Sequence, residues 1–291
     1  MSTRTLISPA QLARPRAKFF YWAAFVLVMV LFTLVFLGPL YWMVSGGLKT
    51  TQEVVQSPPT LLPSSVHTEN YSRAWEVMDL SRLLFNTLYY AFGALAFQLV
   101  LDVAAAYSLS RLRPVFGKAI LAMMLVTLMI PATVLVVPQY LTVLDVPIVE
   151  RNLLNSPWAI WLPSVTNAFN IFLLKRFFDS IPRELIDAAA IDGASRLRTL
   201  WSIVLPISRP ILGVVSIFAV VGVWKDFLWP MLTLPDPSKQ TLNVGIYSLS
   251  NGVPENVLIA ALTIASVPTL LIFLAFQRNI MSGLTAGGLK G

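Results

Sequence analysis

Six stretches of this chain contain no charged side chain: residues 19–48, 83–101, 119–144, 152–174, 210–224 and 256–277. A helix needs about 20 apolar residues to cross the hydrocarbon core of a bilayer. Each run approaches that length, the fifth only if it continues past Lys225 to about Met231. The first run is longer than the roughly 7–15 residue core of a signal peptide, so it reads as an uncleaved span. The chain is 56% hydrophobic and 12% charged, where soluble domains carry about 25% charged residues. The expected fold is an all-α integral membrane protein with six transmembrane helices. Pro131 and Pro138 should kink the third span, and Pro268 the sixth, because proline frees backbone carbonyls inside a helix.

The polar residues narrow the function classes. A net charge of +7 could suit nucleic acid, but the basic residues sit at the ends of the apolar runs rather than on one face, so no nucleic-acid partner is expected. The chain has no cysteine and one histidine, His67. Thiol catalysis, a Cys-ligated metal and a His-based metal site are therefore excluded. No phosphate-cradling GxxxxGK[ST], HExxH or GxSxG occurs, so neither nucleotide hydrolysis by that loop nor a known intramembrane hydrolase pattern is present. No internal repeat is visible, which counts against a secondary transporter built from inverted repeats. The bilayer itself is the first partner.

Basic residues also set the orientation. With the N-terminus inside, the inner segments hold fifteen Lys and Arg and the outer segments five, Lys225 set aside. The positive-inside rule then puts both termini in the cytoplasm. The longest outer loop, residues 46–81, contains Pro58, Pro59, Pro63, Tyr71 and Trp75, and long loops on a rigid scaffold often bind partners.

One segment of the second half is polar: residues 180–210, SIPRELIDAAAIDGASRLRTLWSIVLPISRP. Asp179 and Ser180 suit helix capping, Pro182 a first helical turn and Glu184 the positive end of the helix dipole. Ala188, Ala189 and Ala190 are strong helix formers with almost no side chain. Asp192-Gly193 turns the chain. Arg196, Leu197, Leu200 and Trp201 restart a helical pattern that ends at Pro206. The segment thus reads as helix, turn, helix, with its smallest side chains at the bend, where another backbone can approach. The basic-residue count puts this element on the cytoplasmic side.

DAAAIDGA, from Asp187 to Ala194, resembles the EAA loop of binding-protein-dependent ABC importer permeases, with Asp187 where the family usually has Glu. The resemblance implies a coupling helix at about 182–197 that contacts an ATP-binding subunit through Glu184, Asp187, Ala188, Ala189, Asp192, Gly193 and Ala194. It extends to Leu37-Gly38-Pro39, Asn86-Thr87-Leu88, Ala106-Tyr107-Ser108-Leu109-Ser110-Arg111, Phe276-Gln277-Arg278 and the tail from Gly283 to Gly291. This last stretch is similar to the end of carbohydrate permeases of the type of the second, smaller permease of the maltose importer family. The fold implied is that of type I ABC importer permeases. The domains expected are a cytoplasmic tail (1–18), a first transmembrane helix (19–45), an external loop (46–81), the importer transmembrane domain (82–277) and a cytoplasmic tail (278–291), in a bacterial or archaeal cytoplasmic membrane. The partners implied are a second homologous permease, two ATP-binding subunits and an extracytoplasmic solute-binding protein. The chain itself needs no cofactor, since ATP and Mg bind the partner subunits. The substrate implied is a sugar, with a polyol or phosphodiester as the alternative and a stand-alone ion-driven carrier as the alternative of another class.

Two places put ionisable groups within or beside a span, where they are functional candidates by default. Lys225 lies sixteen residues past Arg209, roughly 24 Å along a helix, at the outer edge of the core. Trp224-Lys225-Asp226-Phe227 resembles a sugar-importer Trp-Asn-Asp-Phe run with Lys225 in place of Asn, and Trp229 follows two residues later. The indoles are either an aromatic belt or platforms for sugar stacking. The two charged groups either bind hydroxyls or pair with each other. Lys225 points to an anionic or strongly polar substrate. Asp102 is the second place, nine residues before Arg111. It either binds substrate or a proton, or has a structural partner.

Overall fold

The computed structural model describes residues 14–147 and 150–286, with side chains through Gln277. Residues 1–13 and 287–291 of the expected tails lie outside the described residues, while 278–286 continue the last helix. The chain is helical, and among the described residues the only β pairing is an isolated bridge between Val146 and Arg151. The helices are α1 Pro15–Gly47, α2 Thr51–Val55, α3 Glu69–Val77, α4 Leu80–Tyr107, α5 Gly117–Thr127, α6 Ala132–Leu144, α7 Trp158–Trp161, α8 Ala168–Ser180, α9 Arg183–Ile191, α10 Arg196–Ile207, α11 Arg209–Lys225, α12 Leu228–Thr233, α13 Leu242–Leu249 and α14 Glu255–Ala286. They form two compact units, 14–74 with 253–263 and 75–252 with 264–286.

In the first unit, α1 is apolar and largely exposed as far as Val44, as a helix solvated by lipid should be, and is buried only at Ser45, Gly46 and Gly47. Its end is fixed by buried amides. Asn70 Nδ2 donates to the carbonyls of Gly47 (3.0 Å) and Lys49 (2.9 Å), and Asn256 Nδ2 donates to Lys49 O (3.1 Å) and Asn70 Oδ1 (3.1 Å). The orphan carbonyls of a helix C-terminus thus find side-chain donors. The ammonium of Lys49, itself buried, lies 4.4 Å from the Trp42 ring centroid and donates to Thr60 O. Gly47 is required by close approach, because a Cβ there would stand 3.1 Å from Ala260 Cα and 2.7 Å from Tyr71 Oη. The loop beyond is closed by a capping box at Thr50 and Glu53, and Glu53 Oε1 also accepts from Ser64 N at 2.8 Å.

The second unit is built on α4. Thr87, Ala91, Ala94, Gln98, Asp102 and Ala106 recur every three or four residues and are all buried. Small residues in such a stripe let neighbouring helices approach closely, and α8 and α11 are the main elements packed on α4. One apolar cluster joins Val103, Tyr107, Ile171, Phe178, Val204 and Val214, and a second joins Tyr90, Ala94, Ile160, Val220, Val223 and Trp229. Gly93 and Gly245 are sites of close packing: a Cβ would lie 2.3 Å from the Trp161 indole and 2.4 Å from Leu83 Cδ2 respectively.

The expected spans differ from the observed helices in instructive ways. Pro15–Gly47, Leu80–Leu112 and Glu255–Gln277 are each long and apolar enough to cross a bilayer. The third run is broken before Pro131 and bends by 104° between α5 and α6, a larger change than a kink. The fourth run, expected as one span, is divided into α7, a 3-10 turn at Leu162–Ser164 and α8. Pro163 lacks an N–H, and Asn167 Oδ1 accepts from Phe169 N (3.0 Å) and Asn170 N (3.1 Å), starting a new helix. The fifth run does not continue to Met231, because Asp226 is extended (φ −68°, ψ 129°) and ends α11. The apolar helix preceding it, α10, meets α11 at 83°.

Two outcomes test this packing. Gly93→Ala forces the Trp161 indole to move and should cost about 1–3 kcal/mol, read as a lower midpoint in heating of the detergent-solubilised chain. Gly222→Ala, where a Cβ meets nothing within 4 Å, should leave that midpoint level or raise it. Glu53 gives a pH test. The Ser64 hydroxyl and N–H, then Thr50, hold its carboxyl down from 4.5 to about 2. A carboxyl lowered on folding stabilises above its unfolded value and loses that contribution as pH falls through its folded value. Protease resistance of residues 50–65 should therefore hold from neutral pH to about 4.5 and decline between 4.5 and about 2. Glu53→Gln should lose that decline.

Candidate functional site

The segment after α8 is anchored before it becomes exposed. Arg111, in the π-helical turn Ser108–Leu112 that ends α4, donates through Nη2 to Ile181 O at 2.8 Å and also to Phe178 O. Ser110 Oγ donates to Asp179 Oδ1 at 2.7 Å, and Lys175 Nζ to Asp179 Oδ2 at 2.6 Å. Asp179 and Ser180 therefore do not cap α9, as their position suggested. The apolar face of α8 carries that helix through Ser180, and Asp179 serves as its link to α4. The N-cap of α9 is Pro182, which offers no side-chain acceptor.

Helix α9 ends in a Schellman turn. Gly193 N donates to Ala190 O (3.1 Å), Ala194 N donates to Ala189 O (2.9 Å), and Gly193 has φ +76°. Ser195 then caps α10, its hydroxyl accepting from Arg198 N at 3.3 Å. Helix, turn, helix is thus the observed order. Glu184, Asp187, Ala188 and Ile191 share the exposed face of α9, with Ile191 at 86% exposure. Ala189 is buried at 7%, and Ala194 is half-buried. Asp192 and Gly193 are exposed. Among the described residues, the carboxylates of Glu184, Asp187 and Asp192 make no hydrogen bond or ion pair. The face is small-residue and acidic, and none of its carboxylates is paired among the described residues.

The turn after α11 is arranged differently from the expectation. Trp224 and Trp229 are 4% and 9% exposed. Trp229 Nε1 donates to Ala159 O at 2.9 Å, and Asn243 Nδ2 donates to Trp224 O at 2.9 Å. Both indoles are buried in the second unit, Trp229 in one cluster with Ala159 and Ile160 of α7, so neither ring is presented at the surface for stacking. Asp226 Oδ1 accepts from Trp229 N at 3.4 Å and starts α12. Lys225 is exposed and makes no ion pair with Asp226 or with any other described residue. Of the four residues, only Lys225 offers an open charged group.

Asp102 is fully buried. Its Oδ1 accepts from Asn167 N at 3.0 Å, the side chains of Asn170 and Gln98 lie beside it, and Oδ2 has no hydrogen-bond partner. It reaches no solvent from this position. Its contact is the break in the fourth run, which gives it a structural partner. Sequence reasoning passed over Arg111 and Tyr107 as anchors. Tyr107 Oη donates to Arg196 O at 3.0 Å, tying α4 to the start of α10. A tyrosine and an arginine one turn apart at the end of an apolar run were the available signal.

A family model described as the binding-protein-dependent transport system inner membrane component matches residues 83–285. The chain is 35% identical over 259 residues to the sulfoquinovosyl glycerol transport system permease protein SmoH of Agrobacterium fabrum, covering 88% of this chain and 89% of that protein. It is 31% identical over 268 residues to the sn-glycerol-3-phosphate transport system permease protein UgpE of Yersinia enterocolitica, covering 88% and 93%. A chain of a bacterial ABC transporter involved in the import of the acidic polysaccharide alginate has the same fold, with TM-score 0.80 and 22% identity over 91% of this chain and 98% of that one. These similar proteins are membrane transport components rather than enzymes. With the family model spanning well over half of its length, the chain belongs to the inner membrane components of binding-protein-dependent transport systems.

Proposed function

We propose that this chain is the permease subunit of an ATP-driven carbohydrate importer in the cytoplasmic membrane, with both termini in the cytoplasm. The observation that carries the reading is the exposed acidic and alanine face of α9, closed by the Gly193 turn and anchored to α4. Glu184, Asp187, Ala188, Ala189, Asp192, Gly193 and Ala194 form the coupling element, which docks on an ATP-binding subunit. A second homologous permease supplies the other half of the pathway, and an extracytoplasmic solute-binding protein delivers substrate. ATP and Mg are held by the two ATP-binding subunits. ATP drives the cycle because those subunits bind it more tightly in one arrangement than in the other. The anchors at Arg111, Asp179 and Tyr107 join the coupling element to α4, so a displacement of α9 is passed to the spans.

For the substrate we favour a sugar or sugar-like solute with an acidic group. Lys225 supports this, as an exposed ammonium at the outer end of α11. The relatives named for sulfoquinovosyl glycerol and sn-glycerol-3-phosphate support a polar glycerol- or sugar-containing cargo. A phosphodiester or polyol is the second reading, favoured by the glycerol phosphate relative.

Two variants test the roles. At Gly193 a Cβ meets nothing within 4 Å, so only the positive φ excludes other residues. Gly193→Val strains that conformation, and uptake per ATP hydrolysed should fall roughly tenfold with the complex still assembled. Gly193→Asn, which tolerates a positive φ, should retain most coupling. Coupled uptake by assembled Gly193→Val complex in proteoliposomes would refute the role. Lys225→Asn should lower the preference for acidic over neutral sugars by roughly tenfold in competitive uptake, the worth of one charged hydrogen bond. An unchanged preference would remove Lys225 from the pathway.

A further inference from the structure

Helix α10 has a face that coupling does not use. Its inner side, at Thr199, Leu200 and Val204, is buried in the core of the second unit. Its outer side carries Leu197 and Trp201, one turn apart and each 69% exposed. Arg196, Arg198 and Arg209 flank them, all exposed. Among the described residues, the three guanidinium groups make no hydrogen bond or ion pair.

We propose that this outer side of α10 lies in the headgroup layer of the cytoplasmic leaflet and binds anionic phospholipid. The inference rests on the reading of α11 as a span whose first residues are cytoplasmic. Helix α11 has 17 residues, about 25 Å of length, close to the depth of the hydrocarbon core. A helix that meets it at 83° runs along the membrane surface. Leucine and tryptophan one turn apart, with arginines at both ends, are the side-chain set of a helix seated at the acyl boundary. The indole suits the headgroup level, and the guanidinium groups reach lipid phosphate. Charge separates this face from the docking element. The exposed face of α9 carries Glu184 and Asp187, with Asp192 at its end, and suits a protein partner. The outer side of α10 carries unpaired arginines and suits an anionic surface.

The chain has no native cysteine, so a single Leu197→Cys can carry a nitroxide in the transporter assembled with cysteine-free partner subunits. In nanodiscs containing phosphatidylglycerol, the label should be relaxed by membrane-dissolved oxygen and not by an aqueous nickel chelate. Stripping the ATP-binding subunits should leave that result unchanged. A label that meets the aqueous chelate, or that changes environment only when those subunits are removed, would overturn the proposal. The second case would assign the face to the subunit. Arg196→Gln with Arg198→Gln should lower the enrichment of spin-labelled phosphatidylglycerol over phosphatidylcholine by about fivefold per arginine. An unchanged enrichment would overturn the anionic preference. Failure of the importer reading itself would look different: no ATP-binding subunit would assemble with the chain.

Discussion

A helix that stops inside a membrane protein leaves carbonyls and N–H groups without partners, and lipid supplies none. This chain breaks its fourth run in the apolar region, and α4 supplies the missing partners. Asp102 accepts from Asn167 N just before α8, and Arg111 donates to Phe178 O and Ile181 O at its end. Tyr107 satisfies Arg196 O at the start of α10. A hydrogen bond to a charged group contributes about 1.5–3 kcal/mol, and loss of one partner leaves a buried group unpaired at a similar cost. The fold therefore tolerates a divided helix because one continuous helix carries the right side chains at its buried stripe and at its end. The same bonds place α9 and the turn that follows it. Held by Ile181 O on one side and Arg196 O on the other, α9 has two fixed ends and a free outer face.

The local chemistry of the coupling segment was legible in the sequence. A run of alanines, Asp192-Gly193 and the restart at Arg196 specify helix, turn and helix through near neighbours, and the structure adds the Schellman bonds and the Ser195 cap. The long apolar runs were legible as helices for the same reason. What was not legible depends on distant partners. Asp179 reads as a cap until Ser110, 69 residues earlier, is seen to donate to it. The fourth run reads as one span, and its break becomes clear only from Asn167 capping α8. Trp224 and Trp229 near a lysine read as either an aromatic belt or a binding platform. The Trp229 indole finds its acceptor in Ala159 O, 70 residues away, and Asn243 donates to the Trp224 backbone carbonyl. Sequence reading identifies which residues are costly to bury. It does not identify the donors and acceptors that make burial acceptable.

The corrected turn at the end of α11 also divides labour among its residues. The indoles and Asp226 build it: two rings fill the core, and the carboxylate starts α12. That leaves Lys225 as the group whose substitution changes what the surface presents without removing a bond in the fold. Specificity placed on such a side chain can change without a stability cost. Specificity placed on the neighbouring indoles would change the core with it.

The glycines make the corresponding argument for the coupling turn. At Gly93 and Gly245 a side chain is excluded by neighbours, Trp161 and Leu83. At Gly193 nothing lies within 4 Å, and the requirement is the left-handed backbone alone. A turn shaped by its neighbours would change shape when a partner docks or leaves. The Gly193 turn is shaped by its own two backbone bonds, so it presents the same surface in either case. Binding then need not order it first, which removes part of the usual entropic cost of association. On the proposed coupling role, the partner's affinity is used to move the helix rather than to form it.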